Sequence, residues 1–76
     1  MNSDLILKKI GTRIREIRES KGVSQQDLAS TCNFEKANMS RIEAGRTNFT
    51  ISTLYKISQA LEITIAELVD VENQVK

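Results

Sequence analysis

The stretch Val23-Ser24-Gln25-Gln26-Asp27-Leu28-Ala29-Ser30-Thr31-Cys32-Asn33-Phe34-Glu35-Lys36-Ala37-Asn38-Met39-Ser40-Arg41-Ile42-Glu43-Ala44-Gly45 decides the fold of this 76-residue chain. Ser24-Gln25-Gln26-Asp27 reads as a capping box, with Asp27 standing in for the usual Glu, and Val23 with Leu28 as the hydrophobic staple around it. The helix that starts there is short and ends near Thr31 or Cys32. In the Cys32-Asn33-Phe34 segment that follows, Asn tolerates the left-handed conformation better than any residue but Gly. A tight turn centred on Asn33 then leads into another helix, from Glu35 or Lys36 to Ala44, with Phe34 and Met39 repeating the staple spacing and Gly45 as its stop. Two short helices joined by a three- or four-residue turn cross steeply, which is helix-turn-helix geometry.

The flanks follow the same local grammar. Upstream, Ile6, Ile10, Ile14 and Ile17 form one stripe of a helix from about Asp4 to Lys21, stopped by Gly22. Gly11 inside it costs about 1 kcal/mol relative to Ala, which points to a close neighbour there. Downstream, Thr50 caps a fourth helix, with Phe49 and Leu54 as staple and Ile51, Leu54, Ile57 and Leu61 on its inner face. Thr64-Ile65-Ala66-Glu67 is a full capping box opening a fifth helix, stapled by Ile63 and Leu68. No stretch alternates strictly and the chain has no proline. The expected fold is therefore all-α, a compact five-helix bundle, with local signals that agree at four helix starts.

Composition narrows the chemistry. Leu, Ile, Val and Phe make up 21 of 76 residues, about 28%, enough for a folded core. There is no His and only one Cys, Cys32, so neither an imidazole base, an internal disulfide framework nor a Cys-rich metal cluster is available. The longest apolar run, Leu5-Ile6-Leu7, is far short of a membrane span, and the first residues lack a signal-peptide core. One soluble cytoplasmic domain, residues 1–76 with a core of about 10–69, is the expectation. A chain this small buries only about 60–65% of its unfolded surface, so tight helix packing or a partner subunit must stabilise it. Cys32 is read as a small buried hydrophobe.

The net charge of +1 hides an asymmetry. Residues 1–22 balance to +3, residues 23–46 to zero, and residues 47–76 to −2. A basic front and an acidic back suit a nucleic-acid face on one side, although a charged helix face is often simply solvated. Sorting the third helix by face sharpens the choice. With Met39 and Ile42 inward, Lys36, Ala37, Ser40 and Arg41 point outward. Lys and Arg pair with guanine edges, Ser with several bases, and Ala can touch a thymine methyl.

Ser24-Gln25-Gln26-Asp27-Leu28-Ala29, then Met39-Ser40-Arg41-Ile42-Glu43-Ala44-Gly45, then Thr53-Leu54-Tyr55-Lys56-Ile57-Ser58-Gln59-Ala60-Leu61 together resemble the phage repressor/Cro-like helix-turn-helix family, also called XRE. The resemblance spans roughly Ile10 to Val69. It implies a lambda-repressor-like bundle that binds double-stranded DNA as a transcriptional regulator, usually as a homodimer on a palindromic operator. Carried over by position, it assigns base reading to Lys36, Ala37 and Arg41, with Ser40 beside them. It assigns backbone contacts to Gln25, whose amide would also brace the first residue of the recognition helix, and to Arg46, Thr47 and Asn48. It assigns a buried salt bridge to Arg18 and Glu43. The Arg46-Thr47-Asn48-x-Thr50-Ile51 loop further resembles restriction–modification controller proteins.

The chain departs from the family pattern at four positions. Asn33 stands in place of a frequent turn glycine, Phe49 in place of a proline and Glu62 in place of a glycine. Glu35 stands where a Ser or Thr cap is usual; it either accepts from a cytosine amine or merely opposes Lys36. The expected dimer surface is Tyr55, Ile63, Ile65, Val69 and Val71, with completion of the monomer core as the competing use of these side chains. No cofactor, metal or small-molecule ligand is expected. An antitoxin or adaptor with a protein partner is the alternative function, while an enzyme finds no support in the residues.

Overall fold

The computed structural model describes residues 3–71; Glu72 and Lys76, counted in the charge of the C-terminal third, lie outside the described residues. Among the described residues the chain forms five α-helices and no strand: α1 Ser3–Ser20, α2 Gln25–Thr31, α3 Lys36–Glu43, α4 Ile51–Ala60 and α5 Ile65–Leu68. The all-α expectation holds, with boundaries within a residue or so of those read from sequence.

The helix starts are built largely as the pattern predicts. Ser24, Thr50 and Thr64 each accept the backbone N–H three residues on, at 3.0, 3.2 and 3.1 Å. At Thr64 the box is complete, since the Thr64 backbone N–H donates to Glu67 Oε1 at 3.0 Å. These hydrogen bonds from Thr64, backbone first, hold the Glu67 carboxyl below its ordinary pKa. At Ser24 the reciprocal half is absent among the side-chain bonds of the α2 cap, so Asp27 does not replace Glu: its chain is one methylene too short to reach back. Glu35 makes no side-chain cap bond to α3. All four staples close on the core. Leu28, Met39, Leu54 and Leu68 are buried, and Val23, Phe34, Phe49 and Ile63 pack partly buried against them.

The ends of α1, α2, α3 and α4 share one device. Gly22, Asn33, Gly45 and Glu62 have φ of 70°, 60°, 72° and 60°. In each case the next residue's N–H reaches back to the carbonyl five residues earlier: Val23 to Arg18, Phe34 to Ala29, Arg46 to Arg41 and Ile63 to Ser58, at 2.8–3.1 Å. This is the Schellman stop. Glu62 adopts it without being glycine, so the helix-end signal that the sequence lacked there is supplied by hydrogen bonding and by the packing of Ile63.

The core comprises Ile10 and Ile14 of α1, Leu28 and Ala29 of α2, Met39 and Ile42 of α3, and Leu54, Ile57, Leu61 and Leu68 from the C-terminal half. Cys32 is buried among them, and burial pushes its thiol pKa up, away from a reactive thiolate. Two expectations need correction. Ile51 is 70% exposed: it is the first residue of α4, where the inward stripe has not yet begun, and Leu54, Ile57 and Ser58 carry the buried face instead. Val71, expected on a dimer surface, is only 2% exposed because its side chain joins the core cluster.

α1 crosses the end of α3 at very short range. A methyl group at Gly11 would stand 2.5 Å from the Glu43 carbonyl oxygen and 2.6 Å from that of Ile42. Helix propensity alone favours Gly11→Ala by about 1 kcal/mol. The clash is with backbone, which cannot rotate away, and overpacking of this kind costs about 1–3 kcal/mol or more. Gly11→Ala is therefore expected to lower the urea midpoint; a raised midpoint would show that the two helices separate without loss.

Candidate nucleic-acid interface

The site is assembled from the back of α3 outward. Met39, Ile42 and Glu43 are buried, and the opposite side of the helix, Lys36, Ala37, Ser40 and Arg41, is exposed. Eight residues of helix cannot hold such a face in place alone, since isolated helices shorter than about 12–15 residues are marginal in water. The restraint comes from Glu43, the last residue of α3.

Glu43 is a buried carboxylate that accepts three hydrogen bonds, two on Oε1 and one on Oε2. Arg18 Nε donates to its Oε2 at 2.7 Å and Arg18 Nη2 to its Oε1 at 3.1 Å, a two-pronged pairing. Gln25 Nε2 donates to the same Oε1 at 3.1 Å. Arg18 Nη1 donates to the Val23 carbonyl at 2.8 Å, which fixes the guanidinium plane. The side chains of Arg18 and Glu43 are 10% and 4% exposed. The hydrogen bond from Arg18 to Glu43, ahead of the opposing effect of burial, pushes the guanidinium pKa further up, so Arg18 keeps its charge in the interior. No buried side-chain N or O among the described residues lacks a partner.

Arg18 and Glu43, paired on the family resemblance, are thus joined across 25 residues of sequence. Gln25 differs from expectation: its amide braces the last residue of α3, not the first. The reason is positional, since the start of α2 faces the α1–α3 junction where the Glu43 carboxylate lies. One of the two Nε2 hydrogens is used in this bond. After α3, Gly45 packs against Lys8 so closely that a methyl group there would stand 2.7 Å from the Lys8 Cα. Arg46 and Asn48 are exposed and Thr47 is half-buried. The Asn48 side-chain oxygen accepts the Phe49 N–H at 3.1 Å, shaping the turn into α4. Sequence reasoning did not find Lys8, whose closeness to this loop has no local sequence signal.

Of the expected dimer residues, Tyr55 is 51% exposed, with its hydroxyl accepting from Gln59 Nε2 at 2.8 Å, and Ile63, Ile65 and Val69 are half-buried. Lys56 extends over the Phe34 ring at 5.7 Å, tying α4 to the turn. Among the described residues no helix is long and apolar enough to cross a membrane, and no group of three His, Cys, Asp or Glu could hold a metal ion.

Two short helices joined by a tight left-handed turn at Asn33, with an exposed polar face on the second and a buried anchor behind it, define a helix-turn-helix domain. The helix-turn-helix family model HTH_3 matches residues 14–68, and the chain belongs to this family. It is 36% identical over 62 residues to the uncharacterized HTH-type transcriptional regulator y4dJ of Sinorhizobium fredii, covering 82% of this chain and 80% of that protein. It is 38% identical over 61 residues to the control protein C.BamHI of Bacillus amyloliquefaciens, covering 79% and 75%. The crystal structure of the restriction-modification controller protein C.AhdI from Aeromonas hydrophila superposes with a TM-score of 0.79 at 35% identity, covering 82% of this chain and 94% of that one. The chain is thus a member of a family of DNA-binding transcriptional regulators, in line with the XRE-type resemblance of its motifs.

Truncating Glu43 to Ala strands the Arg18 charge in the interior, which costs about 3–5 kcal/mol. A domain of this size has only about 4–11 kcal/mol in all. Joint replacement by Arg18→Met and Glu43→Met is expected to recover most of that loss, because it removes both charges. Urea denaturation of the single and double variants measures the difference; additive losses would show that the two residues act independently.

Proposed function

We propose that this chain binds a palindromic operator in double-stranded DNA as a homodimer, with α3 of each protomer in the major groove. The observation that carries the reading is the exposed face of Lys36, Ala37, Ser40 and Arg41 on a helix anchored from behind by Glu43. Lys36 and Arg41 donate to guanine edges, Ser40 meets either a donor or an acceptor, and Ala37 lies against a thymine methyl. Gln25, with its remaining amide hydrogen, and Arg46, Thr47 and Asn48 hold phosphates and set the register.

One bundle has few cations to offer a duplex, so a two-fold pair is needed to double the contacts. The pair reads half-sites about 34–36 Å apart. Tyr55, Ile63, Ile65 and Val69 form the shared surface, away from α3. Val71, being buried, does not take part. The protein acts in the cytoplasm on chromosomal or phage DNA, with regulation through its own concentration and dimerisation and without cofactor or small-molecule ligand. The similarity to C.BamHI and C.AhdI favours a controller-type regulator.

Lys36→Ala or Arg41→Ala is expected to weaken operator binding by about 1–3 kcal/mol and to relax preference at particular base pairs. Titration against duplexes with single-base changes reads this, and equal losses on operator and mixed-sequence DNA would reassign the residue to phosphate. Arg46→Ala is expected to lower the salt slope by about one unit. Ile65→Asp is expected to shift the sedimenting species towards monomer; an unchanged sedimentation profile would put the interface elsewhere.

A further inference from the structure

We propose that Arg15 of α1 is a further contact to the DNA backbone, and that the Glu19 carboxylate occupies the place of the phosphate until DNA displaces it; this rests on the DNA-binding reading above. An open groove of about 580 Å³ runs between the C-terminal half of α1, the start of α2 and the outer side of α3. Arg15 and Glu19 line it together with Gln25, Lys36 and Ser40. Arg15 therefore borders the same space as the residues assigned to base edges and backbone.

Glu19 lies one turn beyond Arg15. Its Oε2 is 3.4 Å from Arg15 Nε and 3.9 Å from Arg18 Nη2. A single anionic oxygen facing two guanidinium groups is the arrangement in which arginines hold a phosphate. Both distances exceed the roughly 2.7–2.9 Å of a strong charge-assisted bond. The side chains of Arg15 and Glu19 are 63% and 55% exposed, so the pair holds little energy and opens readily. Arg18 behaves differently, because three of its donors are committed to Glu43 and Val23. Arg18 is the fixed positive wall of the groove and Arg15 the movable one. On a duplex Arg15 turns from Glu19 to a phosphate oxygen, and the released carboxylate stands beside that phosphate and repels it. Glu19 therefore lowers both affinity and salt dependence.

The test uses the duplex that the wild-type chain enriches from a random-sequence pool, labelled with fluorescein and titrated by anisotropy across a range of KCl concentrations. Arg15→Gln is expected to reduce the salt slope by about one unit, which amounts to about eight-fold weaker binding at 0.1 M salt. Glu19→Gln is expected to tighten binding several-fold and to steepen the slope. In the Arg15→Gln background the gain from Glu19→Gln is expected to fall by at least half. Equal gains in both backgrounds would mean that Glu19 acts by general repulsion, and would overturn the displacement. An unchanged slope in Arg15→Gln, with binding still lost in Lys36→Ala, would overturn the Arg15 contact and leave the DNA reading standing. Failure of the wild-type chain to enrich any duplex would overturn both.

Discussion

The structure depends on how the end of α3 is seated on α1. Glu43 receives three donors from two other helices, two from Arg18 and one from Gln25, in a nearly dry junction. Gly11 brings the α1 backbone against the Ile42 and Glu43 carbonyls, and Gly45 brings the following loop against Lys8. These contacts replace a long helix as the source of rigidity. An eight-residue helix anchored at its last residue can present its outer side chains to a rigid duplex. The same helix without the anchor would be frayed and would lose its binding free energy to ordering.

A buried ion pair is an expensive way to hold two helices together, and apolar residues of similar volume often do as well or better. The geometry shows what the charges add. A carboxylate with a guanidinium fork and an amide accepts only one orientation of α3 relative to α1 and α2, whereas an apolar contact tolerates sliding. The Arg18 plane is itself fixed by the Val23 carbonyl at the entry to α2. The turn, the scaffold helix and the anchor are therefore tied together by one network. Around this junction the remaining helices are modular, α2 and α4 each with its own cap, staple and left-handed stop and α5 with its own cap and staple, and they join through the common core.

Much of this architecture was legible because short helices advertise their ends locally. Three of four caps, all four staples and three of four stops follow from residues within six positions of one another, which is the range over which hydrogen bonding and side-chain spacing act. Asp27 in a box position is too short to close it, Glu62 adopts a left-handed stop without being glycine, and Ile51 lies outside the inward stripe although its spacing places it there. For Glu62 and Ile51 the neighbourhood, not the residue type, made the difference, whereas for Asp27 it was the length of the side chain. Gln25 illustrates the dependence on surroundings: it opens α2 as the pattern predicts, but the direction of its amide depends on where Glu43 comes to rest.

The sequence by itself determined the five helices, their order, and which side of the third is polar, because periodicity, capping and turn chemistry are properties of adjacent residues. The family motifs added the identity of the Arg18–Glu43 pair, which no local rule supplies. Only the tertiary structure decided that Gln25 braces Glu43, that Lys8 lies against Gly45, that Val71 closes the core, and that Arg15 and Glu19 face Lys36 and Ser40 across one groove. Those relations join residues many positions apart, and their distances are set by the packing of helices against one another, where a shift of one ångström separates a contact from a gap.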